Sequence, residues 1–152
     1  VSFAIKSFIY KLVTTNFMHQ RTIEDYLKAI FVIYEKQKRK EKGIRSIDIA
    51  KSLNIKKPSV SAVIHKLADA GYLKSEAYSP VFFTEMGLKE AQRIIHNHRV
   101  IEYFLNEILK CDLKKIHQEA HKLEHAFSDS TIRKLDDFLG NPSVSPYGRR
   151  IH

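Results

Sequence analysis

Residues Ile49–Leu73 read IAKSLNIKKPSVSAVIHKLADAGYL, and this stretch decides the fold. A short helix from Ser46 leads into a Leu53-Asn54-Ile55 turn. Pro58 then suits the first turn of a second helix, where its missing N–H is no loss. Val60, Val63, Ile64 and Leu67 recur at spacings of three and four, which makes one helix face apolar. Ala70-Gly71 ends that helix, with glycine as the C-cap. Tyr72 to Ala77 and Val81 to Thr84 flank Tyr78-Ser79-Pro80, the pattern of a hairpin. Helix, tight turn, helix and hairpin is the order of a winged helix-turn-helix. The second helix of such a unit enters the major groove with its N-terminal residues at base edges. Those residues are Lys56, Lys57, Pro58, Ser59, Ser61 and Ala62. Lysines suit phosphates, serines meet a phosphate or a base edge, and the small Ala62 approaches a thymine methyl.

Working outward, Thr22-Ile-Glu-Asp25 predicts a helix start, a hydroxyl followed three residues later by an acid. Tyr26, Leu27, Ile30, Phe31 and Ile33 continue at a helical period. Asp25 taken alone is an acid in a first turn, where it favours the helix dipole. Glu35–Lys42 (EKQKRKEK) reads as a solvated helix end and loop. Residues 1–17 are apolar but broken by Lys6 and Lys11, lack a small-residue cleavage site, and read as an extension of unknown role rather than a signal peptide. Downstream, Thr84 caps a long helix to about Leu109. Helices near Leu113–Phe127 and Ser130–Leu139 follow, and the tail after Gly140-Asn141-Pro142 reads as irregular. The fold class is mainly α.

The second half is rich in histidine. His96 and His98 lie on the long helix, and Glu102 shares the face of His98 one turn on. His117, His121, Glu124 and His125 then fall at spacings of four, three and one, a polar strip opposite Ile116, Leu123 and Phe127. A core does not accept such a strip unless its nitrogens and oxygens are occupied. Imidazole with carboxylate suits Mn, Fe, Co, Ni and Zn rather than thiolate-seeking metals. Bound histidine must be neutral, so metal-triggered DNA binding is expected to weaken as pH falls through about 6 to 5.

Composition agrees. Lysine and arginine number 26 against 17 acids, a formal charge of +9, which favours a polyanionic partner. A single cysteine, Cys111, rules out an internal disulfide and points to a reducing, cytoplasmic setting. No apolar run approaches the roughly 18 residues of a membrane span. An enzyme is disfavoured: there is no HExxH, no Gly-rich phosphate loop and no nucleophile elbow. A winged-helix regulator of a non-metal signal would share the first half but leave the histidines as surface groups.

Five stretches together resemble the diphtheria-toxin-repressor and manganese-transport-regulator family: TIEDYLKAI (Thr22–Ile30), the helix-turn-helix above, FTEMG (Phe83–Gly87), EAHKLEHAFS (Glu119–Ser128) and LGNPSVSPYG (Leu139–Gly148). The resemblance covers about residues 20 to 150. It implies a winged helix-turn-helix over 18–84, a helical metal-binding and dimerisation domain over 85–152, and a metal-loaded homodimer on operator DNA. It also implies two metal sites: Asp25, His121, Glu124 and His125 as the primary set, and His98, Glu102 and His117 as the ancillary one. Lys28 departs from the manganese-type pattern, which has a glutamate there. His121 and Asp25 replace a cysteine and a methionine of the iron type. The resemblance thus implies Mn(II) or Fe(II), with Co(II), Ni(II) or Zn(II) able to substitute in vitro. No membrane or small organic substrate is expected.

Overall fold

The computed structural model describes residues 3–76 and 79–151, with side chains from residue 20 onward. Within it the chain divides into two compact units, Val1–Ala91 and Gln92–His152.

In the first unit, α1 spans Phe3–Lys36. The expected helix start at Thr22 is therefore not found. No proline or glycine occurs before Gly43, so nothing halts the helix at Thr22, and its hydroxyl lies mid-helix. Asp25 is likewise well inside α1, where the first-turn dipole argument does not reach. A 3-10 turn at Lys40–Lys42 lies within the expected charged loop.

Helix α2 covers Ser46–Leu53 and α3 covers Lys57–Asp69. Between them Asn54 takes the left-handed conformation, φ 52°, and makes the tight turn. Pro58 sits in the first turn of α3. Its stripe is buried as the spacing requires, with Val60, Val63, Ile64 and Leu67 at most 7% exposed. Burying side chains of this size contributes roughly 1.5–3 kcal/mol each. Ile23, Leu27, Ile30 and Phe31 of α1 and Ile49 of α2 are buried as well.

Strands β1 (Leu73–Lys74) and β2 (Phe82–Phe83) pair antiparallel, Leu73 opposite Phe83 and Lys74 opposite Phe82. This is the expected hairpin; Ala77 and Tyr78 of its connection lie outside the described residues. Ile44 extends the ladder, exchanging two 2.8 Å backbone hydrogen bonds with Val81. Phe83 meets Tyr34 edge-on at 5.6 Å between ring centroids, so the end of α1 supports the hairpin.

Helix α4 (Glu85–Tyr103) begins in this unit and continues into the second. Thr84 caps it, its Oγ1 accepting from Gly87 N at 2.9 Å and donating to Gly71 O at 2.7 Å. A Cβ on Gly87 would come within 1.9 Å of Tyr72 O, so only glycine permits this approach of α4 to the hairpin.

In the second unit the last turn of the long helix, Phe104–Ile108, is π-helical rather than a plain continuation to Leu109. Lys110 at φ 55° then reverses the chain. Helix α5 spans Leu113–Leu123, with Asp112 accepting from Lys114 N, and α6 spans Asp129–Phe138, with Ser128 accepting from Thr131 N. Val100, Ile101, Leu105, Ile116, Ala120, Ile132 and Ile151 form the core, with Cys111 partly buried against it. Among its described residues the tail has no helix or strand, as expected, and is held in place by backbone hydrogen bonds and a single bridge between Val144 and Arg150. Ser145 N donates to Arg149 O, Ile151 N donates to Ser143 O, and Ile151 thereby enters the core.

Candidate metal centre and nucleic-acid surface

The second unit gathers four of the chain's eight histidines at one place. Helix α4 contributes His98 and Glu102, one turn apart, and α5 contributes His117 and His121. Glu124 caps α5, and His125 lies in the turn beyond it. The strip is therefore not wholly helical: α5 stops at Leu123, although Glu124 keeps helical dihedrals, φ −58° and ψ −29°.

His98, Glu102 and His117 converge. His98 Nε2 lies 2.8 Å from Glu102 Oε1 and 3.0 Å from His117 Nδ1, and His117 Nδ1 lies 2.9 Å from Glu102 Oε1. His98 is 3% and Glu102 1% exposed, whereas the His117 ring is largely in solvent. Three electron-rich atoms this close repel unless protons or a cation lie between them. An ion bonded to N and O donors at about 2.1 Å holds ligands at right angles about 3.0 Å apart. The triangle fits such an ion.

His121 Nδ1 lies 2.8 Å and His125 Nε2 3.4 Å from Glu124 Oε1. The other oxygen, Glu124 Oε2, accepts from His98 Nδ1 at 2.5 Å. Glu124 thus touches both groups of histidines, a link the sequence does not show because 26 residues separate it from His98. A ligand imidazole usually donates its second N–H to a carboxylate, which fixes its tautomer and orientation.

Burial works against a charged His98, but the hydrogen bonds to Glu102 and Glu124 outweigh it and raise its pKa above the usual value. Burial likewise opposes ionised Glu102, and its histidine partners prevail and lower its pKa. In the metal-free site the two carboxylates thus favour a proton on His98.

His96, the remaining histidine of α4, serves the frame instead: its Nε2 lies 3.3 Å from buried Asp136 and its Nδ1 3.3 Å from Ile151 O. Asp25 lies on α1 in the first unit.

In that unit Lys56, Lys57, Pro58, Ser59, Ser61 and Ala62 are all exposed, at or just inside the start of α3. Their backs are the buried stripe, so the polar face is free of any packing duty.

Among the described residues no helix is long and apolar enough to cross a membrane. Residues 18–81 match the model of the iron dependent repressor N-terminal DNA binding domain, and residues 84–152 that of the iron dependent repressor metal binding and dimerisation domain. An HTH-type transcriptional regulator of Methanocaldococcus jannaschii is 39% identical over 119 residues, covering 78% of this chain and 93% of that protein. The HTH-type transcriptional regulator MntR of Bacillus subtilis is 31% identical over 119 residues, covering 78% of this chain and 80% of that protein. A solved manganese-dependent transcriptional repressor in complex with manganese superposes with a TM-score of 0.73 at 30% identity over 85% of this chain. The chain spans 57% of the length of that structure.

Proposed function

The chain belongs to the iron dependent repressor family, and from that premise we propose that it is a metal-responsive transcriptional repressor of metal homeostasis. It binds operator DNA as a homodimer when Mn(II) or Fe(II) is present. The observation that carries this reading is the convergence of His98, Glu102 and His117 on one point, with Glu124 joining them to His121 and His125. The donors are imidazole and carboxylate without sulfur, which suits these two ions.

The ancillary set is His98, Glu102 and His117. The primary set is His121, Glu124 and His125 with Asp25, the fourth member resting on the family resemblance. Bound metal would supply a divalent positive charge to these carboxylates and imidazoles. Asp25 on α1 then ties the DNA-binding residues, 18–84, to the metal-binding residues, 85–152. This restricts the pose of paired α3 helices to one that fits successive major grooves. Coupling of this kind is typically worth about 1–3 kcal/mol. On α3, Lys57 and Ser59 position the helix on phosphates, while Ser61 and Ala62 meet base edges.

The test is fluorescence anisotropy on the chain's own upstream promoter DNA at fixed salt. Mn(II), or Fe(II) without oxygen, is titrated into metal-free protein and then withdrawn with chelator. The proposal requires metal to tighten binding and chelator to reverse it, and the ion effective at lower concentration names the signal. Equal DNA binding with and without metal would transfer the assignment to a winged-helix regulator of a non-metal signal.

A further inference from the structure

Two donors of the triangle, His98 and Glu102, are buried, whereas the His117 side chain is 59% exposed. Packing fixes the first two. The place of His117 depends instead on the first turn of α5, which starts at Leu113 just after the chain reverses at Lys110. The tail reaches that turn. Ser145–Gly148 (SPYG) is a tight turn, with Gly148 N donating to Ser145 O at 2.9 Å. Pro146 takes its second position, where a fixed φ presets the turn. Tyr147 at the third position is therefore presented rigidly. Its hydroxyl donates to Leu113 O at 2.6 Å. In a helix the same carbonyl accepts from the amide four residues on, which is that of His117. Partial burial first, and the Glu102 charge second, hold the Tyr147 phenol above its usual pKa, while the His117 backbone N–H works the other way. The phenol thus lies beside the His117 amide and in the field of Glu102. The same tail is tied to α4, where Arg99, next to His98, donates from Nη1 to Arg150 O at 2.6 Å.

We propose that Tyr147 is a positioning residue for His117: from a tail anchored on α4, its hydroxyl holds the first turn of α5 where the His117 imidazole meets His98 and Glu102. The inference rests on the reading of these three residues as a metal site and adds to it a residue outside the ligand set. Helix ends fray, and those with few buried contacts open most readily. A ligand must be held within about 0.5 Å of its productive place, so a loosened first turn costs affinity at this site. Tyr147→Phe keeps the ring and removes only the hydroxyl. Tyr147 is exposed, and Leu113 O keeps its helical partner, so the fold is expected to hold.

The experiment titrates Mn(II) into the full chain by calorimetry, for the parent, His117→Ala and Tyr147→Phe. The binding step that His117→Ala removes or weakens belongs to the triangle. Tyr147→Phe is expected to weaken that same step roughly two- to tenfold, as loss of one hydrogen bond implies, and to leave any other step as it is. Amide hydrogen exchange of the metal-free chain gives a second readout, in which the His117 amide is expected to exchange faster in Tyr147→Phe. Two results overturn the proposal. One is a triangle step in Tyr147→Phe equal to that of the parent. The other is an equal loss at every step, which would make the tail a general support of the fold and not a positioner of His117. Failure of the underlying reading looks different: Mn(II) binding that His117→Ala does not change removes the triangle as a metal site, and this proposal falls with it.

Discussion

The two units place their working groups in opposite environments. On α3, Lys57, Ser59 and Ser61 stand in solvent, while the helix is anchored by a different face through Val60, Val63, Ile64 and Leu67. In the second unit His98, Glu102 and Glu124 are themselves buried, at 3%, 1% and 7% exposure, and satisfy one another. In the first unit function and stability can be altered separately. In the second they are held by the same atoms, so substitutions there are expected to change both.

The largest expected effect is therefore at Glu124. Glu124→Ala strips a carboxylate from His98, His121 and His125 and takes from the buried His98 ring one of its two carboxylate partners. Breaking a buried charged pair from one side costs about 3–5 kcal/mol. Urea unfolding of the metal-free variant is expected to show a loss of that order, together with loss of metal-dependent DNA binding. A change below about 1 kcal/mol would break the contrast between the units. Next comes Gly87→Ala, which places a methyl against Tyr72 O and forces α4 off the hairpin. Overpacking of this kind costs about 1–3 kcal/mol, to be read in a thermal melt.

The pH dependence is smaller and has a definite sign. The pKa of His98 is raised in the fold, so its proton contributes stability below the unfolded value, about 6.5, and that contribution is lost as pH rises through the folded pKa. Metal must displace the same proton. Affinity at His98, Glu102 and His117 should thus climb with pH through neutrality, about tenfold per unit for each proton displaced. This places the window above the interval of about pH 6 to 5 that an ordinary histidine implies. Mn(II) titrations at about pH 6, 7 and 8 would contradict the account if they coincide. The smallest effect on the fold belongs to Lys57→Ala. Folding stability is expected to stay within about 0.5 kcal/mol. DNA affinity should fall alike on all sequences, with the salt slope reduced by about one.

The same division explains what could be read from the sequence. The apolar face of α3 repeats every three or four residues, so both it and the exposed face behind it were legible. Glu102 and His98 were legible as a pair because one helical turn separates them. The length of α1 was not, because Thr22 and Asp25 have the spacing of a cap, yet no proline or glycine before them stops the helix. Nor was the place of Ile151, one apolar residue after two arginines, without a period to mark it as core. The contact between Glu124 and His98 depends on how α4 and α5 pack, and no local pattern encodes it.

The proposed function makes Asp25 the metal ligand through which DNA binding responds to metal. It is tested by measuring the DNA affinity of Asp25→Ala with and without Mn(II), alongside direct metal binding. The account predicts that the variant still takes metal at His98, Glu102 and His117 but gains no DNA affinity from it. A full metal-driven gain in Asp25→Ala would contradict it.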